Sequence, residues 1–92
     1  MKSAFELAME RLGGGPIREY TAPQKEKLAE VDRMCDSRVA QARMQADSER
    51  QKVAGDPAKL KQVQDQLTSE LASLESRRER DKDELRKQFD AE

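Results

Sequence analysis

Apolar positions recur along two stretches of the chain at steps of three and four residues. In the first they are Leu28, Val31, Cys35, Val39, Ala42, Ala46 and Val53; in the second, Leu60, Val63, Leu67, Leu71, Leu74 and Leu85, with Phe89 beyond. Such steps gather the residues on one stripe of a helix. Between the two stretches lies Val53-Ala54-Gly55-Asp56-Pro57. Gly55 suits the left-handed residue that follows a helix C-terminus. Asp56 suits an N-cap, and Pro57 the first helical position, where no N–H is required. So short a connection folds the two helices side by side and antiparallel. The pattern predicts arms at about 22–54 and 57–90 of a hairpin spanning 22–92.

Folding the chain about this turn pairs residues whose numbers sum to about 113. Val53 then meets Leu60, Ala46 meets Leu67, Ala42 meets Leu71, Val39 meets Leu74 and Leu28 meets Leu85. Large residues face small ones, which lets two helix axes approach closely without overpacking. Cys35 falls level with Arg78, and Asp32 with Asp81. The expectation for this polar interruption is that its side chains reach out to solvent where the pair loosens. An ionic layer that fixes the register is the alternative.

Residues 1–12 carry a helix signal of their own. Ser3 and Glu6 form a capping box, and Phe5, Ala8, Met9 and Leu12 follow on one face at the i, i+3, i+4, i+7 spacing. About ten residues do not hold a helix in water unaided, so this face is a candidate partner-docking element. A lid over the open end of the same bundle is the other reading. Gly13-Gly14-Gly15-Pro16 opens a flexible linker over 13–21 and lacks the phosphate-binding GxxxxGK[ST] pattern. Ile17 and Tyr20 are expected against Leu28, Leu85 and Phe89 at the hairpin base, and Thr21 with Gln24 makes a second capping box.

The predicted fold is therefore all-α: an antiparallel two-helix coiled-coil hairpin with a short N-terminal helix. A single seam is a thin core for two long helices, and a second copy of the hairpin supplies the missing surface as a four-helix dimer. Val31, Met34, Met44 and Val63 are the candidate dimer surface.

Composition sharpens the functional picture mainly by exclusion. The chain has 92 residues, enough for one domain, and 40% of them are charged, with no Trp, one Tyr and two Phe. That is the make-up of long helices, and a net charge of −1 with regular apolar spacing argues against disorder. The charge is spread evenly: three basic and three acidic residues in 1–20, seven and six in 24–54, eight and nine in 57–92. No face of one sign is left for phosphates or anionic lipid. Along Glu75–Asp90, the pairs Glu75/Arg78, Glu79/Lys82, Arg80/Glu84 and Asp83/Lys87 sit at helical neighbour spacing, as on a solvated helix face. Arg77, Arg78 and Arg80 keep a nucleic-acid- or ribosome-associated role as the alternative function, weakened by the interleaved acids and the absence of stacking aromatics. No apolar run is long enough to span a membrane or to act as a signal peptide.

No catalytic, cofactor-binding or metal site is expected, nor a small-molecule ligand. Histidine is absent, which removes the commonest general base and metal ligand. Glu49 and Glu70 are isolated carboxylates near the seam, without the Glu-x-x-His motif of di-metal bundles. The single Cys35 admits no intrachain disulfide, reads as a small buried hydrophobe, and suits a reducing cytosol.

The run KSAFELAMERL, the Gly/Pro break, the Thr-capped start with Gln-Lys and the following LAEVD resemble the opening of small uncharacterised bacterial helical proteins. The resemblance covers roughly residues 2–40 and implies a helix–linker–hairpin architecture in a bacterial cytosol. It brings no activity, ligand or site residue. The expected function is a non-enzymatic protein–protein interaction module that self-associates or serves as a small subunit or adaptor. A holdase-like chaperone ranks behind it, because the turn end shows little apolar surface to grip a client.

Overall fold

The computed structural model describes Ala4 and residues 19–92. Helix α1 runs Ala22–Lys52 and α2 runs Pro57–Ala91, packed against each other as a hairpin. The candidate docking face of Phe5, Ala8, Met9 and Leu12 lies outside the described residues.

Both helix starts are set locally. The Gln24 amide donates to the Thr21 hydroxyl at 3.3 Å, and the Thr21 amide donates to Gln24 Oε1 at 2.9 Å. This reciprocal pair closes the capping box and occupies two amides that the first helical turn leaves without partners. At α2 the Asp56 carboxylate accepts from the Lys59 amide at 3.1 Å, with Pro57 next in the chain.

The turn departs from expectation in one respect. Gly55 does not take the left-handed conformation, and a Cβ built on it would meet nothing within 4 Å. Instead Val53 caps α1 by donating to both Glu49 O and Arg50 O at 3.2 Å, and the Asp56 amide donates to Val53 O at 2.9 Å. This bond closes the reversal three residues on from Val53, and a turn of that length can close with Gly55 outside the left-handed region.

Within the pair, Ala42, Ala46, Val63 and Leu67 form the buried core, with Val53, Leu71 and Leu74 packed against it. Two alanines on α1 leave the space that the larger side chains of α2 fill. Val63 is a correction. It was a candidate for an outward dimer surface, yet it is 8% exposed and belongs to the hairpin's own core. The gap beside Ala46 admits it, and its place between Leu60 and Leu67 keeps it on the inner stripe.

A second cluster closes the far end. Phe89 is fully buried, with the Tyr20 ring edge-on at 5.6 Å between centroids and Lys27 Nζ 5.9 Å above its face. Edge-to-face rings and a cation over a ring are both attractive contacts. Gln24 Nε2 donates to Glu92 Oε2 at 3.0 Å across the same end. Tyr20 thus covers Phe89, as the sequence requires of a residue otherwise left bare.

Two substitutions check this account by urea denaturation. Leu67→Ala should cost about 2 kcal/mol, near the low end for a buried leucine because a two-helix layer collapses readily around the gap. Gly55→Ala should raise stability by about 0.4–1 kcal/mol, since alanine fits this backbone and narrows the unfolded ensemble. A loss at Gly55→Ala would contradict the turn described.

Candidate interaction surfaces

Between the alanine-lined core and the Phe89 cluster, the seam turns polar. Asp32 on α1 faces two cations of α2. Lys82 Nζ donates to both Asp32 oxygens, at 3.2 and 3.1 Å, and Arg78 Nε lies 4.0 Å from Asp32 Oδ1. The Lys82 side chain is 19% exposed and that of Arg78 28%, so this is a half-desolvated layer and not a frayed one. Helical geometry explains it: Arg78 continues the Leu67, Leu71, Leu74 stripe, and Lys82 is one turn further on. Glu75 receives the Arg78 guanidinium and raises its pKa above the ordinary arginine value, although partial burial works the other way. Arg78 Nε itself is buried with no hydrogen bond.

Cys35 lies in the same region. It is 3% exposed, and its thiol donates to Leu74 O at 3.6 Å. The contact is that of a small side chain filling a gap in the seam.

Of the four residues offered as a dimer surface, Val31 and Met34 share one flank of the hairpin. With Glu30, Arg38, Arg77 and Asp81 they line a shallow groove of about 140 Å³. Met34 is 46% exposed. Met44 is 72% exposed but lies elsewhere. Ten residues separate it from Met34, which turns it about 80° further round the helix, onto the outer side. The two methionines therefore do not make one patch.

Arg38 was not singled out in the sequence. It is half-buried in this groove and has no hydrogen bond or ion pair among the described residues. A signal for it exists: the residues three and four positions away on either side are Met34, Cys35, Gln41 and Ala42, and none is acidic. Elsewhere on α1 the exposed Arg33 bridges Glu26 and Glu30 at 2.5 Å each, and both hold its pKa above the usual arginine value.

In the charged half of α2, Glu75 pairs with Arg78 as its spacing suggests. Lys82 instead turns inward to Asp32, and Asp83 takes Arg86 at 2.8 Å rather than Lys87. Arg77 Nε stands 3.9 Å from Asp81. Glu49 and Glu70 border one shallow groove with Ala46 and Leu67. Among the described residues, no group of three His, Cys, Asp or Glu is placed to hold a metal ion. No described helix is long and apolar enough to cross a membrane.

With this geometry in hand, comparison with known proteins adds nothing to it: no protein family, no curated protein and no solved structure matches the chain.

The ionic layer makes a quantitative prediction. Asp32→Ala should lower stability by about 1 kcal/mol in urea denaturation, because Lys82 and Arg78 then stay partly desolvated without their shared carboxylate. Replacing Asp32, Arg78 and Lys82 together with leucine should restore or exceed the original midpoint, since a well-packed apolar layer has no charges to desolvate.

Proposed function

We propose that this chain is a non-enzymatic helical interaction module, a coiled-coil hairpin that works in the cytoplasm by binding other helices, its own copies first. The observation that carries this reading is the thinness of the core. The seam of two helices of 31 and 35 residues buries only six apolar side chains to below a tenth of their surface. Val31 and Met34 meanwhile sit together on an accessible flank. A hairpin of this size has little margin of stability alone, and helix-on-helix packing is the direct way to add to it.

The N-terminal segment fits the same role. Phe5, Ala8, Met9 and Leu12 supply the apolar stripe of a groove-binding helix, and the linker gives it reach. Of the three arginines that would serve a nucleic-acid-binding surface, Arg78 is bonded to Glu75 and Arg77 stands 3.9 Å from Asp81, which leaves Arg80 in a run of interleaved acids. That favours a protein partner over a phosphate backbone.

Sedimentation equilibrium tests the proposal directly. The chain should associate in the micromolar range, and its thermal midpoint should rise with concentration, as mass action requires of an assembly that stabilises its subunits. A monomer whose midpoint ignores concentration would overturn self-association. Salt-sensitive binding to RNA at low ionic strength would favour the nucleic-acid alternative. Deleting residues 1–16 should leave helicity and self-association in place if that segment is a recognition arm; unfolding on deletion would make it a lid.

A further inference from the structure

The groove on the flank of the hairpin has a symmetry of its own. Met34 lies midway between Glu30 and Arg38, four residues from each, so the two charges stand one helical turn on either side of it. On α2, Glu79 lies midway between Arg77 and Asp81, and Glu79 is the residue level with Met34 in the hairpin register. Each helix therefore presents one cation and one anion on opposite sides of a single level. All four charges, with Met34 and Val31 between them, are in the residues flanking one groove or bordering its centre.

We infer that this face binds the same face of a second copy, antiparallel, about a twofold axis level with Met34. The inference rests on the self-association reading and names its surface. A twofold axis in the interface plane, perpendicular to the helices, inverts the level of every residue, so each helix meets its own equivalent running the other way. Met34 then packs on Met34 of the second copy. Arg38 meets Glu30 of the second copy, and Arg77 meets Asp81 of the second copy. Each of the two ion pairs occurs twice, and the Met34 contact once, on the axis. Arg38 gains the acidic partner that it lacks among the described residues. Glu30 already receives Arg33 on Oε2, which leaves Oε1 for the incoming guanidinium. In the resulting bundle α1 runs antiparallel both to α2 and to its own equivalent, the arrangement that helix dipoles favour.

Charge complementarity selects a second copy as the occupant. A patch that carries both signs in inverted order on both helices is matched by itself, and by an unrelated surface only by coincidence.

The test uses the full chain and sedimentation equilibrium. Arg38→Glu places like charges across the axis, and so does Glu30→Arg; each alone should weaken dimerisation by tenfold or more, to an order of magnitude. Mixing the two variants restores opposite charges at both positions, and the mixture should dimerise to within about threefold of the native chain. Circular dichroism confirms that each variant keeps its helices. A second route does not depend on charge. In a Cys35→Ser background, Met34→Cys should cross-link two chains readily under mild oxidation, and Met44→Cys should not.

Other outcomes separate the possibilities. A native chain that stays monomeric overturns both this surface and self-association. A native dimer indifferent to Arg38→Glu and Glu30→Arg, with no cross-link at residue 34, overturns this surface alone. Weakening without rescue in the mixture also overturns it. If residues 2–12 of the same chain occupy the groove, Arg38→Glu lowers the thermal midpoint equally at every concentration, and has no effect once residues 1–16 are deleted.

Discussion

Close approach of two helices is the constraint from which the rest of this structure follows. Ala42 and Ala46 present almost no side chain, so Val63 and Leu67 fill the space between the axes. Swapping bulk between the arms would serve as well, but bulk on both would force them apart and absence on both would leave a void. This complementarity fixes the register. The register in turn places Asp32 opposite Lys82, Cys35 against Leu74, and Tyr20 over Phe89. The short reversal at residues 53–56 has only to hold the arms in antiparallel sense while the side chains choose the level.

The hairpin is not uniform along its length. Near the turn, an aliphatic layer excludes water from the seam. At the other end, an aromatic pair with a lysine above it does the same work with fewer residues. Between them stands the Asp32, Arg78 and Lys82 layer, which contributes less to stability than apolar packing of the same volume would. Its contribution is directional: a slip by one turn would separate Asp32 from Lys82 and leave charges in the seam without partners. Polar and apolar layers thus divide two tasks, one supplying cohesion and the other excluding wrong alignments.

How much of this was legible in the sequence depends on the range of each interaction. Helix starts at Thr21 and Asp56 were legible because capping involves residues three apart in the chain. The seam and the hairpin were legible because periodicity reports a stripe and the turn folds that stripe on itself. The left-handed role given to Gly55 was wrong because glycine permits that conformation without requiring it, and Val53 already closes the turn. Val63 was misplaced for a different reason. Spacing tells which residues share a stripe, but the width of the buried stripe depends on how small the facing residues are, and Ala46 makes it wider. The inward turn of Lys82 was missed because Glu79 competes for it on paper, whereas desolvation beside Asp32 strengthens the cross-helix pair. On the flank, Val31 and Met34 share a face by spacing alone, but the groove that Arg77 and Asp81 complete needed the position of α2, which no pattern within α1 supplies.

Tyr20 rests on Phe89, and Gln24 is bonded to Glu92, so the two ends of the described chain leave the rod side by side. That placement decides how the molecule answers to mechanical load. Tension applied between residue 19 and residue 92 acts across the helix pair, not along it, and strains only the outermost contacts at any instant. The aromatic clasp gives first, the ionic layer next, and the aliphatic layers last, in sequence and at low force. A pull between the turn and one free end would instead run along a single helix and leave the contacts between the arms unloaded.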